Sequence, residues 1–402
     1  MSHENFQEWL DEVMSKIIKN LGLDVDNTRY KLFETTGIFI ASIVYRIHLQ
    51  FENKTNIQKE ELFIILKRPV PGLKQITRAD LQFHNEILFY RVYPRPDEIY
   101  AKCLYVEERP PFDYAIALEN VNTRGYYAYP YVHDSPMEYT LAAIRELGRF
   151  HGKGYVMKQM QPKKFFNIVA QIQEIRYTNK FTDNIMKFAS NTMTLRVMEY
   201  LRNQGYDTIF CDKMEAILSN AFDKVMIKMV QPLEPLATLC HGDFTLSNIL
   251  FKTEDNGQHR PMLIDFALIR YSTPVVDLST YLYLSCSNEM RKNKFSEIMR
   301  AYHDAVKKYL LDAGIQDIEK FSYDALLDDF RKGALFGFVL MCIFKPVLLG
   351  HINPELLVQD MTNLSSLDFM EKHKYMGGDE ISKMLADALL HLKDLGYLKH
   401  VL

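Results

Sequence analysis

One stretch limits what this chain can fold into more than any other: residues 238–266, TLCHGDFTLSNILFKTEDNGQHRPMLIDF. Two apolar, strand-like runs flank Asp255-Asn256-Gly257, a turn sequence that favours a β-hairpin. His241-Gly242-Asp243 precedes the first run, Asn248 stands at its entry, and Asp265 closes the second. A hairpin folded on that turn lays Asn248 and Asp265 side by side. The pair is then a hard, oxygen-rich site suited to Mg²⁺ carrying nucleotide phosphates, with Asp243 one loop away as a candidate base. A turn aspartate, a cap asparagine and a strand-end charge satisfy the same spacing without any chemistry.

Around this stretch the chain changes character once. Phe6, Trp9, Leu10, Val13 and Ile17 recur at helical spacing ahead of Gly22, so an amphipathic helix is expected first. Residues 38–51, 62–66, 100–106 and 114–118 are rich in β-branched and aromatic side chains and read as strands of one antiparallel sheet. Residues 77–93 read as a helix between them, stopped by Pro94 and Pro96. After Asn122 helical patterns dominate, so the expected domains are 1–121 and 122–402, with the candidate site at 239–277. Ser135 to Glu138 has capping-box spacing, with Pro136 at the first helical position, and Leu141, Ile144, Gly148 and His151 then share one face. On that face His151 reads as a satisfied core histidine. Residues 165–203, 211–230, 288–312 and 379–396 read as further helices. The most apolar stretch, 333–344, ends at Lys345-Pro346, short of the roughly 20 residues of a membrane span, and reads as a buried core helix. The expected fold class is α+β: a small antiparallel sheet lobe followed by a larger helical lobe.

Composition bears on partners. A formal net charge of -3 leaves no bulk positive field for a polyanion, so nucleic acid is not an expected partner, and no protein partner is evident. The five cysteines are scattered, odd in number and never spaced as CxxC, which argues against a disulfide framework and a structural zinc site. The N-terminal residues lack the basic and apolar regions of a signal peptide, and the expected compartment is reducing, the cytoplasm.

HGDxxxxN followed by IDF resembles the catalytic loop and metal-binding Asp of protein-kinase-like phosphotransferases. Lys67, ending LFIILK, and Glu86, in HNEILFYRVYP, follow the order of the kinase strand Lys and helix Glu, and IALENV at 116–121 resembles the hinge. More narrowly, ASIVYRI, the E-x-x-F-Y of Glu86 to Tyr90, LGRFHGKGY and LIDFALIRYSTPVVDLSTYL resemble the ecdysteroid-kinase-like (CHK kinase-like) family, related to choline and aminoglycoside kinases. A protein kinase is disfavoured: only eleven residues separate Asp265 from Asp277, no APE-like anchor follows, and Gly242 replaces the Arg that would pair with an activation-loop phosphate.

The resemblance implies a bilobal protein-kinase-like fold with ATP between the sheet and the helical lobe, its γ-phosphoryl group passing to a small-molecule alcohol. Some members phosphorylate a steroid hydroxyl. By the same resemblance Lys67, held by Glu86, contacts the α and β phosphates, Ser42 follows the phosphate-side turn, and backbone groups near Glu119 and Val121 meet adenine. Asp265 and Asn248 hold Mg²⁺, Asp243 orients the acceptor hydroxyl and takes its proton, His241 orients the loop and Asp277 braces it, unless Asp277 is only a helix cap. The turn ETTGIFIAS carries only Gly37, and Thr245, Leu246, Ser247 and Ala267 depart from the family's usual residues. An inactive nucleotide-binding relative and a choline-, ethanolamine- or aminoglycoside-type kinase are the alternatives.

Overall fold

The computed structural model describes residues 3–36, 42–52, 59–70, 72–95, 98–110, 113–131 and 133–402. The chain divides into two compact units, Met1–Tyr127 and Ala128–Leu402. The turn around Gly37 lies outside the described residues.

The first unit opens with helix α1 (His3–Asn20), then strands β1 (Arg29–Thr36), β2 (Ser42–Glu52) and β3 (Lys59–Pro69), helices α2 (Lys74–Thr77) and α3 (Ala79–Val92), and strands β4 (Cys103–Arg109) and β5 (Asp113–Glu119). The strands form one antiparallel sheet in the order β1-β2-β3-β5-β4. Alternation explains its inner face: Tyr45, Ile47 and Leu49 of β2, Ile64 and Leu66 of β3, and Ala115 and Ala117 of β5 are buried together. Leu10, Val13, Met14 and Ile17 of α1 pack into the same cluster, at the spacing that predicts this helix. The sequence reading contained no counterpart of β1. In RYKLFETT the charged Arg29, Lys31 and Glu34 interrupt the β-forming Tyr30, Phe33, Thr35 and Thr36, as befits an edge strand paired to β2 alone.

At the junction lies the two-residue strand β6 (Tyr127–Ala128). The second unit continues with α4 (Met137–Met160), α5 (Pro162–Val169), α6 (Ile185–Met193), α7 (Leu195–Asn203), α8 (Thr208–Leu218), and strands β7 (Thr238–Cys240), β8 (Ile249–Thr253), β9 (His259–Leu263) and β10 (Arg270–Ser272). It ends with α9 (Val275–Leu284), α10 (Asn288–Asp312), α11 (Tyr323–Leu348), α12 (Pro354–Asn363), α13 (Ser366–His373) and α14 (Gly378–Asp394). α4 and α10 approach closely because Gly148 has no side chain: a Cβ there would lie 2.7 Å from both Ala305 Cβ and Tyr302 O. Buried Leu335, Phe338, Val339 and Met341 make α11 a core helix. Among the described residues no helix is long and apolar enough to cross a membrane.

Three local readings are corrected. No capping box starts α4: Pro136 is the cap residue, no side chain caps the helix, and Ser135 Oγ accepts instead from Tyr281 Oη at 3.3 Å. Tertiary demand removes the cap. α11 does not stop at Lys345-Pro346 but runs through to Leu348, because the N–H that Pro346 lacks belongs to the last turn alone. The expected helix 165–203 is three helices separated by a non-helical segment, 170–184, where Asn184 turns its side chain inward. Its Nδ2 donates to Arg176 O at 2.9 Å and Thr178 O at 3.0 Å, while its Oδ1 caps α6.

Candidate active site

The hairpin of β8 and β9 is antiparallel, with Ile249 opposite Leu263 and Thr253 opposite His259. One step past that register, Ile264 N–H donates to Asn248 O at 3.1 Å, which sets Asn248 opposite the residue before Asp265 at the open end. Asp265 has φ 64°, a left-handed backbone that costs a non-glycine residue roughly 1–2 kcal/mol. Asn248 Nδ2 donates to Asp243 O at 2.9 Å and to Asp243 Oδ2 at 3.3 Å, which turns its amide oxygen away from Asp243. An amide oxygen and a carboxylate at a strained residue fit an oxygen-seeking divalent cation such as Mg²⁺.

The loop carrying Asp243 is fixed from two sides. His241 Nε2–H donates to Ile264 O at 3.0 Å while its Nδ1 accepts from Asp243 N–H at 3.3 Å, defining the neutral tautomer that ties the loop to the hairpin. From the other side Asp277, in the first turn of α9, accepts His241 N–H at 2.6 Å on Oδ2 and Gly242 N–H at 2.7 Å on Oδ1. Gly242 stands at φ 82°, and a Cβ there would lie 1.8 Å from Leu268 O. Leu246 N–H donates to Ser285 Oγ at 3.0 Å, completing the anchorage.

Beneath the loop is a closed cluster. His151 of α4 is fully buried, with Nδ1 at 2.7 Å from Tyr302 Oη and Nε2 at 3.0 Å from Asp277 Oδ2. Burial raises the Asp277 carboxyl, but the hydrogen bond and charge of His151 and the Gly242 N–H outweigh it and hold the pKa below the usual aspartate value. Cys240 lies within the same group, yet burial pushes its thiol well up and both His151 nitrogens are committed to hydrogen bonds. The cluster is a support.

Arg176, in the segment expected to be helix, was absent from the sequence-predicted site. Its Nη1 lies 3.2 Å from Asp243 Oδ1, with side chains 23% and 30% exposed, and its guanidinium stands 5.7 Å from the Phe344 ring centre. Burial works against its charge, but the attraction of Asp243 outweighs this and raises the Arg176 pKa. Glu174 Oε1 accepts from Arg176 N–H and Tyr177 N–H, both at 3.0 Å, and its Oε2 lies 3.4 Å from Arg270 Nη1. No sequence signal joins Arg176 to Asp243, 67 residues downstream.

In the first unit, Lys67 of β3 and Glu86 of α3 form an ion pair at 2.6 Å, exposed 7% and 1%. Ser42 is buried at the start of β2, opposite Pro69. Glu119 ends β5, with its N–H donated to Lys102 O at 2.8 Å and its carboxylate 3.3 Å from Arg124. Val121 is buried at the start of a single 3₁₀ turn capped by Asn120.

A family model described as the ecdysteroid kinase-like family matches residues 37–315. Among solved structures, the chain is similar to Plasmodium vivax ethanolamine kinase at 12% identity and a TM-score of 0.45, covering 93% of this chain and 88% of that chain. It is similar also to an aminoglycoside 2'-phosphotransferase-IIIa mutant in complex with GDP, at 12% identity and a TM-score of 0.40, covering 96% of both chains. No curated protein matches the chain.

Proposed function

The chain belongs to the ecdysteroid kinase-like family, a small-molecule phosphotransferase by that membership, and from this premise we propose that it transfers the γ-phosphoryl group of Mg-ATP to an alcohol. The family's description supports an ecdysteroid-like hydroxyl as acceptor. The observation that supports the reading is the hairpin end, where Asn248 faces the residue before Asp265 and donates to Asp243, in a loop anchored by Asp277.

In this reading the acceptor oxygen forms a bond to the γ-phosphorus, the bond from that phosphorus to the β–γ bridging oxygen breaks, and its electron pair leaves with ADP. Asp243 orients the hydroxyl and takes its proton. Little proton abstraction is needed early in a loose transition state, so a carboxylate that is a weak base suffices. Asn248 and Asp265 would hold Mg²⁺, which when bound neutralises phosphate charge. Lys67, aligned by Glu86, contacts the α and β phosphates, and backbone groups near Glu119 and Val121 receive adenine.

The test is ATP turnover by the purified chain against sterols, glycosides and amino alcohols. Transfer to a sterol hydroxyl is expected. ATP binding without transfer to any acceptor would instead favour an inactive relative.

A further inference from the structure

We infer that Arg176 is a specificity-determining residue on the acceptor side: it admits alcohols that are neutral or anionic near the reacting hydroxyl and opposes cationic ones. The inference rests on the reading of Asp243 as the group that meets the acceptor hydroxyl. An alcohol whose oxygen reaches Asp243 Oδ1 must come within a few ångströms of Arg176 Nη1, since the two atoms are 3.2 Å apart.

Three observations give this pair a duty beyond holding the fold. First, the local backbone is set without the guanidinium: Glu174 accepts the N–H groups of Arg176 and Tyr177, and Asn184 donates to the carbonyls of Arg176 and Thr178. Second, the neighbouring Arg270 is engaged elsewhere, with Glu174 at 3.4 Å, Leu268 O at 3.4 Å and the Tyr177 ring at 4.8 Å, so Arg176 is the cation that faces the loop aspartate. Third, both members of the pair are partly exposed, which keeps them within reach of a ligand.

Charge decides the rest. An amino alcohol or quaternary-ammonium alcohol carries its positive charge two carbons from the hydroxyl, close to a guanidinium that water only partly screens. A neutral alcohol meets no such opposition, and an anionic one gains an attraction to the same positive charge. Only the guanidinium's charge discriminates, while the transfer itself still delivers the hydroxyl proton to Asp243.

The test uses three hydroxyethyl compounds of matched size: choline, its neutral tert-butyl isostere 3,3-dimethyl-1-butanol, and the anionic 2-hydroxyethanesulfonate. Phosphoryl transfer from Mg-ATP is measured as kcat/KM for the parent, Arg176→Gln and Arg176→Lys. For a compound that does not turn over, its dissociation constant is measured by NMR with a non-hydrolysable ATP analogue and Mg²⁺ present. Ratios to the neutral compound cancel any common loss from a shifted Asp243. Arg176→Gln is expected to raise the choline-to-neutral ratio at least tenfold and to lower the sulfonate-to-neutral ratio, with Arg176→Lys staying near the parent.

Equal losses for all three compounds, or unchanged ratios, would overturn the inference and leave Arg176 as a brace for Asp243. A parent that favours choline would overturn it too. Calorimetry separates the two readings: a parent that fails to bind Mg-ATP sinks the kinase assignment and this inference with it, whereas unchanged ratios in a protein that binds Mg-ATP sink this inference alone.

Discussion

Asp243 and Asp265 differ in what surrounds them, so their amides should fail differently. Asp243 takes hydrogen bonds from Arg176 and Asn248, whereas Asp265 sits at the hairpin end in a left-handed backbone. Asp243→Asn keeps the shape and loses the proton acceptor: Mg-ATP binding should persist while turnover falls by roughly 10²–10⁴. Asp265→Asn removes a hard anionic ligand, so Mg-ATP binding should weaken together with turnover. Nucleotide titrations with and without Mg²⁺, beside single-turnover assays, distinguish the two, and normal Mg-ATP binding by Asp265→Asn would refute its role. Gly242 offers a test without charge. Its Cβ would occupy the place of Leu268 O, so Gly242→Ala should lower stability by at least the roughly 1–3 kcal/mol of ordinary overpacking. Urea unfolding measures it, and a neutral result would mean that the loop crosses elsewhere. HGD, Asn248 and Asp265 were legible because they stand within one short run whose turn residues announce its folding. Arg176 was not, since its meeting with Asp243 exists only after tertiary folding.

Elements were legible where one face repeats and illegible where tertiary bonds override the local pattern. α10 spans 288–312 as the periodicity predicts, and β2 to β5 fall near the β-branched runs that announce them. Segment 170–184 contains no proline or glycine to announce a break. It leaves the helix because Glu174 and Asn184 satisfy backbone groups there by side-chain hydrogen bonds, an alternative that helical periodicity does not register. α11 carries a different kind of misfit. Burial raises the Asp329 pKa from 3.8 to about 6, in a side chain that is 7% exposed. A carboxyl whose folded pKa is raised favours folding when protonated: stability from this group is full below the unfolded pKa near 4 and falls as pH rises through 6. The penalty at neutral pH is on the order of 3 kcal/mol. Asp329→Asn should therefore be more stable than the parent at pH 7.5, with the difference shrinking towards pH 4. Denaturant midpoints across that range check it, and a variant less stable at pH 7.5 would show that the charged form has a partner worth more than its desolvation.

For the whole molecule, a ligand that binds only folded chain shifts unfolding by mass action. Mg-ATP at a hundredfold excess over its dissociation constant should stabilise the protein by about 2.7 kcal/mol. Scanning calorimetry with ATP, Mg²⁺ and both together should give the largest rise with both, and no shift at millimolar concentration would count against the nucleotide site.

The segment between α5 and α6 puts the charge beside Asp243 on a different stretch of chain from the loop that carries Asp243 itself. The groups assigned to phosphate, metal and hydroxyl proton lie on strands, a helix and a loop anchored by buried hydrogen bonds, where substitution disturbs everything at once. Arg176 lies on a stretch whose backbone is shaped by its own Glu174 and Asn184, while Ile175 and Tyr177 anchor it in the core. On the reading of Arg176 as the acceptor-side charge, a substitution confined to that one side chain would retune which alcohols the site accepts without rebuilding the loop that Asp277 holds.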